Sequence, residues 1–64
     1  MYKIMIIEDH TMTRRGVASF LFETGRWLVV GEAGSLEEAQ EFFKTRALTG
    51  DAAPDIVLLD LQLL

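Results

Sequence analysis

Sixty-four residues, half of them hydrophobic and a quarter charged, with one proline, five glycines and no cysteine, make one small domain that is meant to fold rather than a disordered segment. The lack of cysteine excludes disulfides and thiolate zinc sites and fits a reducing cytosol, while a net charge of −4 excludes a nucleic-acid module, whose clustered basic face Arg14 and Arg15 alone do not make. No apolar run approaches the roughly 20 residues of a membrane span, so a soluble, cytoplasmic protein with no membrane contact is expected. A core of this size buries only about 60% of the unfolded surface and should be marginal.

Tyr2-Lys3-Ile4-Met5-Ile6-Ile7 opens a first strand, near residues 2 to 8, with Lys3 its only charged interior residue. Such an isoleucine-rich run reads as buried on both faces, and it leads straight into Glu8-Asp9. From His10 or Thr11 a helix is predicted to about Thr24, with Met12, Val17, Phe20, Leu21 and Phe22 near its apolar stripe and Arg14, Arg15, Ser19 and Glu23 off it. Gly25 is its αL stop. Gly16, about 1 kcal/mol worse than alanine inside a helix, points to close packing of helix on sheet.

Trp27-Leu28-Val29-Val30 forms a second strand, closed by Gly31-Glu32-Ala33-Gly34. Ser35 and Glu38 have the spacing of a capping box and start a second helix. Its apolar stripe is Leu36, Ala39, Phe42, Phe43 and Ala47; Glu37, Gln40, Glu41 and Lys44 form its wet side. Leu48 to Ala53 reads as a loop. Pro54, which cannot continue a helix, introduces Asp55-Ile56-Val57-Leu58-Leu59, a third strand read as buried on both faces and ending at Asp60.

Alternating strands and helices of these lengths imply an α/β fold with a parallel sheet. Both crossovers should be right-handed, so a reversal of direction is needed to place one helix on each face. The strand order is therefore 2-1-3, with the first strand central. That order sets the tips of strands one and three roughly 4.8 Å apart, at the switch point where open α/β sheets bind ligands. Glu8, Asp9 and Asp60 then converge and repel one another unless a cation joins them. Magnesium suits such a site, taking oxygen ligands and keeping several waters, and Asp60 is the candidate nucleophile for an incoming phosphoryl group.

The segments Ile6-Ile7-Glu8-Asp9-His10, Val30-Gly31-Glu32-Ala33 and Pro54-Asp55-Ile56-Val57-Leu58-Leu59-Asp60-Leu61 together resemble the receiver domain of two-component response regulators, most closely the subfamily with a LuxR-type output domain. The resemblance spans the whole chain, residues 1–64, as a partial receiver domain of flavodoxin-like fold. It implies that Asp60 is the phosphoacceptor, that Glu8 and Asp9 are the acidic pair binding Mg2+ with it, that the backbone carbonyl of Gln62 completes the metal site, and that a sensor histidine kinase is the partner. It implies no intrinsic enzyme.

A complete receiver is about twice this length, and the hydroxyl and lysine expected at its fourth and fifth strands have no counterpart in these residues. Strand three, with the apolar tail Leu61-Gln62-Leu63-Leu64, is then an edge that invites pairing, and a homo-oligomer through this edge is expected. The alternative function is a non-phosphorylatable interaction or dimerisation module that keeps the half-receiver fold. His10 is read as a helix-start residue rather than a ligand, Arg14-Arg15 as a solvated helix face, Ser35 as a cap, and Trp27 and Phe42-Phe43 as core or interface.

Overall fold

In the computed structural model, which describes residues 1–63, the apolar run at the start of the chain forms strand β1 (Tyr2–Ile7), and Ile4, Met5, Ile6 and Ile7 are all at most 5% exposed. Four consecutive buried residues in a strand require cover on both faces, since successive side chains point to opposite sides. The sheet supplies it. Strand β2 (Trp27–Ala33) and strand β3 (Ile56–Leu59) both pair with β1 in parallel, in the order β2-β1-β3. Helix α1 (Thr11–Thr24) lies against β2 and β1 on one face, and helix α2 (Leu36–Thr49) against β2 on the other. Met5, Ile7, Ala33 and Ala39 form the core beneath α2, with Phe42, Leu59 and Leu63 around it.

Local signals set most of the boundaries. Gly25 ends α1 at φ 71°, its N–H donating to the Phe22 carbonyl. Ser35 caps α2, its hydroxyl accepting the Glu38 N–H at 3.1 Å. The return arm of the box differs from the expected form: Glu38 Oε2 accepts the N–H of Gly34 at 2.8 Å.

Five expectations about the elements are corrected. Strand β2 does not close at Val30 but continues through Ala33, and Val30 is an inserted residue, since Ile4 faces Val29 while Met5 faces Gly31. Helix α2 extends through Leu48 and Thr49 to stop at Gly50, φ 78°, because a left-handed glycine ends a helix more sharply than the polar residues after Ala47 suggest. In α1 the residues turned to the sheet are Arg14, Val17, Ala18 and Leu21, spaced i, i+3, i+4, i+7, whereas Met12, Phe20 and Phe22 are exposed. Gly16 lies opposite that stripe with nothing within 4 Å of a would-be Cβ, so it marks no close packing. The close approach is at Gly31, where a Cβ would overlap the Phe42 ring.

Strand β3 is the fifth. Ile56, Val57 and Leu58 are 45%, 42% and 45% exposed rather than buried on both faces. Both helices lean toward β2, and β3 has a neighbouring strand on one side alone among the described residues. The tail continues as a single 3-10 turn, Leu61–Leu63; Leu64 lies outside the described residues. No helix of the described residues is long and apolar enough to cross a membrane.

Candidate metal centre

Two backbone hydrogen bonds carry the sheet one residue past its strands and so place the acids. The Glu8 N–H donates to the Ala33 carbonyl at 2.9 Å, and the Asp60 N–H to the Ile7 carbonyl at 3.0 Å. Glu8 thus ends the central strand and Asp60 the strand beside it. Asp9 follows on the turn into α1. One donor atom from each of Glu8, Asp9, His10 and Asp60 lies within 4.8 Å of all the others. The three carboxylates expected to converge do so.

Burial grades the three. The Glu8 side chain is 14% exposed and that of Asp9 47%, and Asp60 is half-buried. Asp60 Oδ1 accepts the Gln62 N–H at 3.0 Å and the Asp60 carbonyl accepts the Leu63 N–H at 3.0 Å, so the 3-10 turn orients the carboxylate. It is the amide of Gln62 that meets Asp60 here.

His10 stands at the helix start, as expected, and its ring in addition joins the acid cluster. It is the N-cap of α1, but its ring turns back: Nδ1 is 2.8 Å from Glu8 Oε1 and 3.0 Å from Asp9 Oδ1. The hydrogen bond with Glu8, then the negative charges of Asp9, Glu8 and Asp60, raise its pKa above the ordinary 6.5. A protonated imidazole there offsets part of the repulsion among the acids. The only sequence signal was its adjacency to two acids.

Arg14 was also misplaced. Its side chain is 17% exposed rather than solvated; Nη1 donates to the Glu8 carbonyl at 2.7 Å and Nε lies 3.4 Å from Glu32 Oε1. Arg15, 71% exposed, reaches the same carboxylate at 3.6 Å and fits the solvated reading. The signal for Arg14 was its spacing of three and seven residues from Val17 and Leu21, which its charge overrode.

Three carboxylates in reach of one point fit a hard divalent cation, and magnesium in particular, which pairs a few carboxylates with waters. The His10 nitrogen is a poorer magnesium ligand and, when protonated, a competitor for the same oxygens.

Comparison with known proteins places the sequence beside a group of bacterial regulators. Over 63 residues, 98% of its length, the chain is 38% identical to the DNA-binding transcriptional activator DevR/DosR of Mycobacterium tuberculosis, covering 26% of that protein. It is 35% identical over 63 residues to the response regulator GacA of Pseudomonas syringae pv. syringae, covering 27% of it. With the transcriptional regulatory protein LiaR of Bacillus subtilis it shares 34% identity over 61 residues, 95% of this chain and 26% of that one. The chain therefore spans about a quarter of the length of the curated relatives it matches. No family model and no solved structure matches it.

Proposed function

We propose, from the premise that this chain is homologous along nearly its whole length to two-component response regulators of the LuxR type, that it forms the front part of a phospho-accepting receiver domain. Asp60 is the phosphoacceptor. Glu8, Asp9 and Asp60, with the backbone carbonyl of Gln62, hold Mg2+. The observation that carries the reading is the convergence of donor atoms from the ends of β1 and β3 within 4.8 Å.

Magnesium held by these carboxylates would offset their charge and supply Lewis-acid polarisation to an incoming phosphoryl group. The chain's own residues supply the rest. A carboxylate oxygen of Asp60, oriented by the Gln62 amide, attacks phosphorus; the Asp60 O–P bond forms as the bond from phosphorus to its donor breaks, and the donor leaves with that electron pair. The donor is the phosphohistidine of a sensor histidine kinase, and the chain that receives the group is read as cytoplasmic. The chain serves it as acceptor in a phosphorelay and is not itself an enzyme.

The test is a calorimetric titration of magnesium into the full chain and into Asp60→Asn, followed by incubation with a small acyl phosphate and measurement of intact mass. Saturable binding weakened in Asp60→Asn, with a phosphoryl mass increment confined to the wild type, is expected. A folded wild type that neither binds magnesium nor gains mass overturns the reading.

The exposure of Ile56, Val57 and Leu58 on the edge strand favours a second reading, a dimerisation module whose acids are vestigial. There, β3 pairs with β3 of a second copy. Sedimentation of the folded chain as a monomer at micromolar concentration removes this reading.

A further inference from the structure

Arg14 grips the segment that carries the acids at two points. Its side-chain Nη1 donates to the Glu8 carbonyl at 2.7 Å, and its backbone N–H donates to the His10 carbonyl at 2.9 Å. Asp9 sits between those two anchored carbonyls. The Glu8 carbonyl and the Asp9 amide share one rigid peptide plane, and the Glu8 N–H on the preceding plane is held by Ala33. Both peptide planes of Glu8 are thereby fixed, and the direction in which the chain delivers Asp9 is set by where the Arg14 guanidinium stands.

The guanidinium is itself held. Its buried Nε–H makes no hydrogen bond among the described residues and has the Glu32 carboxylate, 3.4 Å away, as ion-pair partner. On its other flank it runs along the turn from β2 to α2, where a Cβ on Gly34 would lie 3.1 Å from Nη1, so a larger residue would crowd its path. Arginine is suited to this task because its planar guanidinium can hydrogen-bond the Glu8 carbonyl through Nη1 while Nε faces the Glu32 carboxylate, a span that a compact lysine ammonium does not offer.

We propose that Arg14 is a positioning residue for the acid cluster: held by Glu32 at the end of β2, its guanidinium fixes the Glu8 carbonyl and so places the Asp9 carboxylate opposite Asp60. The proposal rests on the reading of that cluster as a magnesium site. It adds β2 to the two strands that build the site, through a residue that touches no ion.

The test uses the full chain with magnesium ion alone as the probe. Titrations compare the wild type with Arg14→Met, Arg14→Lys and Glu32→Gln, while NMR of the metal-free proteins follows the Glu8 carbonyl carbon and the Asp9 amide. Loss of a group that orients a ligand weakens metal binding on the order of ten-fold. That loss is expected for Arg14→Met, with Glu8 and Asp9 resonances displaced and those of the Ala39 core in place. Arg14→Lys is expected to stay weaker than wild type. Wild-type affinity in Arg14→Met, or full recovery by lysine, overturns the proposal. Should Arg14→Met not fold, Glu32→Gln decides: weaker binding with a displaced Asp9 amide supports it, and wild-type values overturn it. A wild type that binds no magnesium defeats the metal reading instead, and the positioning role then stands or falls on the metal-free Asp9 displacement.

Discussion

Lys3 and Asp55 exchange two hydrogen bonds: the Lys3 amide donates to Asp55 Oδ2 at 2.7 Å, and the Asp55 amide donates to the Lys3 carbonyl at 2.8 Å. This clasp stands at the start of β3, where Ile4 meets Ile56, and the register it sets ends with Ile7 opposite Leu59. A slip of one residue would turn every β3 side chain to the other face and move Asp60 away from Glu8. The clasp thus reinforces, from the far end of the sheet, the register that brings the acids together.

Asp55→Ala should lower stability by about 1 kcal/mol, the usual net worth of one hydrogen bond. Asp55→Asn, whose amide oxygen still accepts, should lose less. Urea unfolding midpoints of the three proteins check this, and an unchanged midpoint in Asp55→Ala would show that strand pairing alone holds the register.

Gly31→Ala should destabilise by roughly 1–3 kcal/mol, the cost of overpacking a filled site, because the added methyl overlaps the Phe42 ring. In a Phe42→Leu background the same substitution should cost less. A double-mutant cycle measures the coupling, and purely additive effects would place the strain elsewhere.

Ser35→Ala should cost about 1 kcal/mol through the lost bond to the Glu38 amide. Ser35→Asp should recover most of it. Circular dichroism melts suffice to compare them.

Folding raises the pKa of His10 above 6.5, so its contribution to stability is complete below 6.5 and is lost as pH rises through the folded value. Stability should thus fall with rising pH across the neutral range, and His10→Ala should remove that slope. The imidazole NMR titration should show a midpoint above 6.5. Glu8→Gln should lower the midpoint most, since the Glu8 hydrogen bond is the largest cause, and Asp9→Asn should lower it next. The absence of any such slope would mean that His10 turns away from the acids in solution.

Much of this molecule was legible in local signals. The isoleucine run of β1, the stop at Gly25 and the cap at Ser35 act within a few residues of themselves and lie where they were read. The strand order follows from reading all three strands as covered on both faces; β1 meets that demand and β3 does not, yet the order stands and brings Asp60 to Glu8. For the acid cluster, residue type and position at strand ends were enough.

What sequence alone determined, then, is the set of elements, their order in the sheet and the three carboxylates, because turn geometry, periodicity and the need to cover β1 are carried by residue types along the chain. Tertiary structure alone decided the rest. Arg14 is drawn against the sheet, its side chain 17% exposed, because Glu8 and Glu32, far apart in the chain, present oxygens to it; Gly31 is crowded because α2 brings Phe42 over it; β3 stays exposed because both helices settle toward β2. Each depends on neighbours that only folding assembles, and a charged or apolar side chain takes whichever environment those neighbours satisfy.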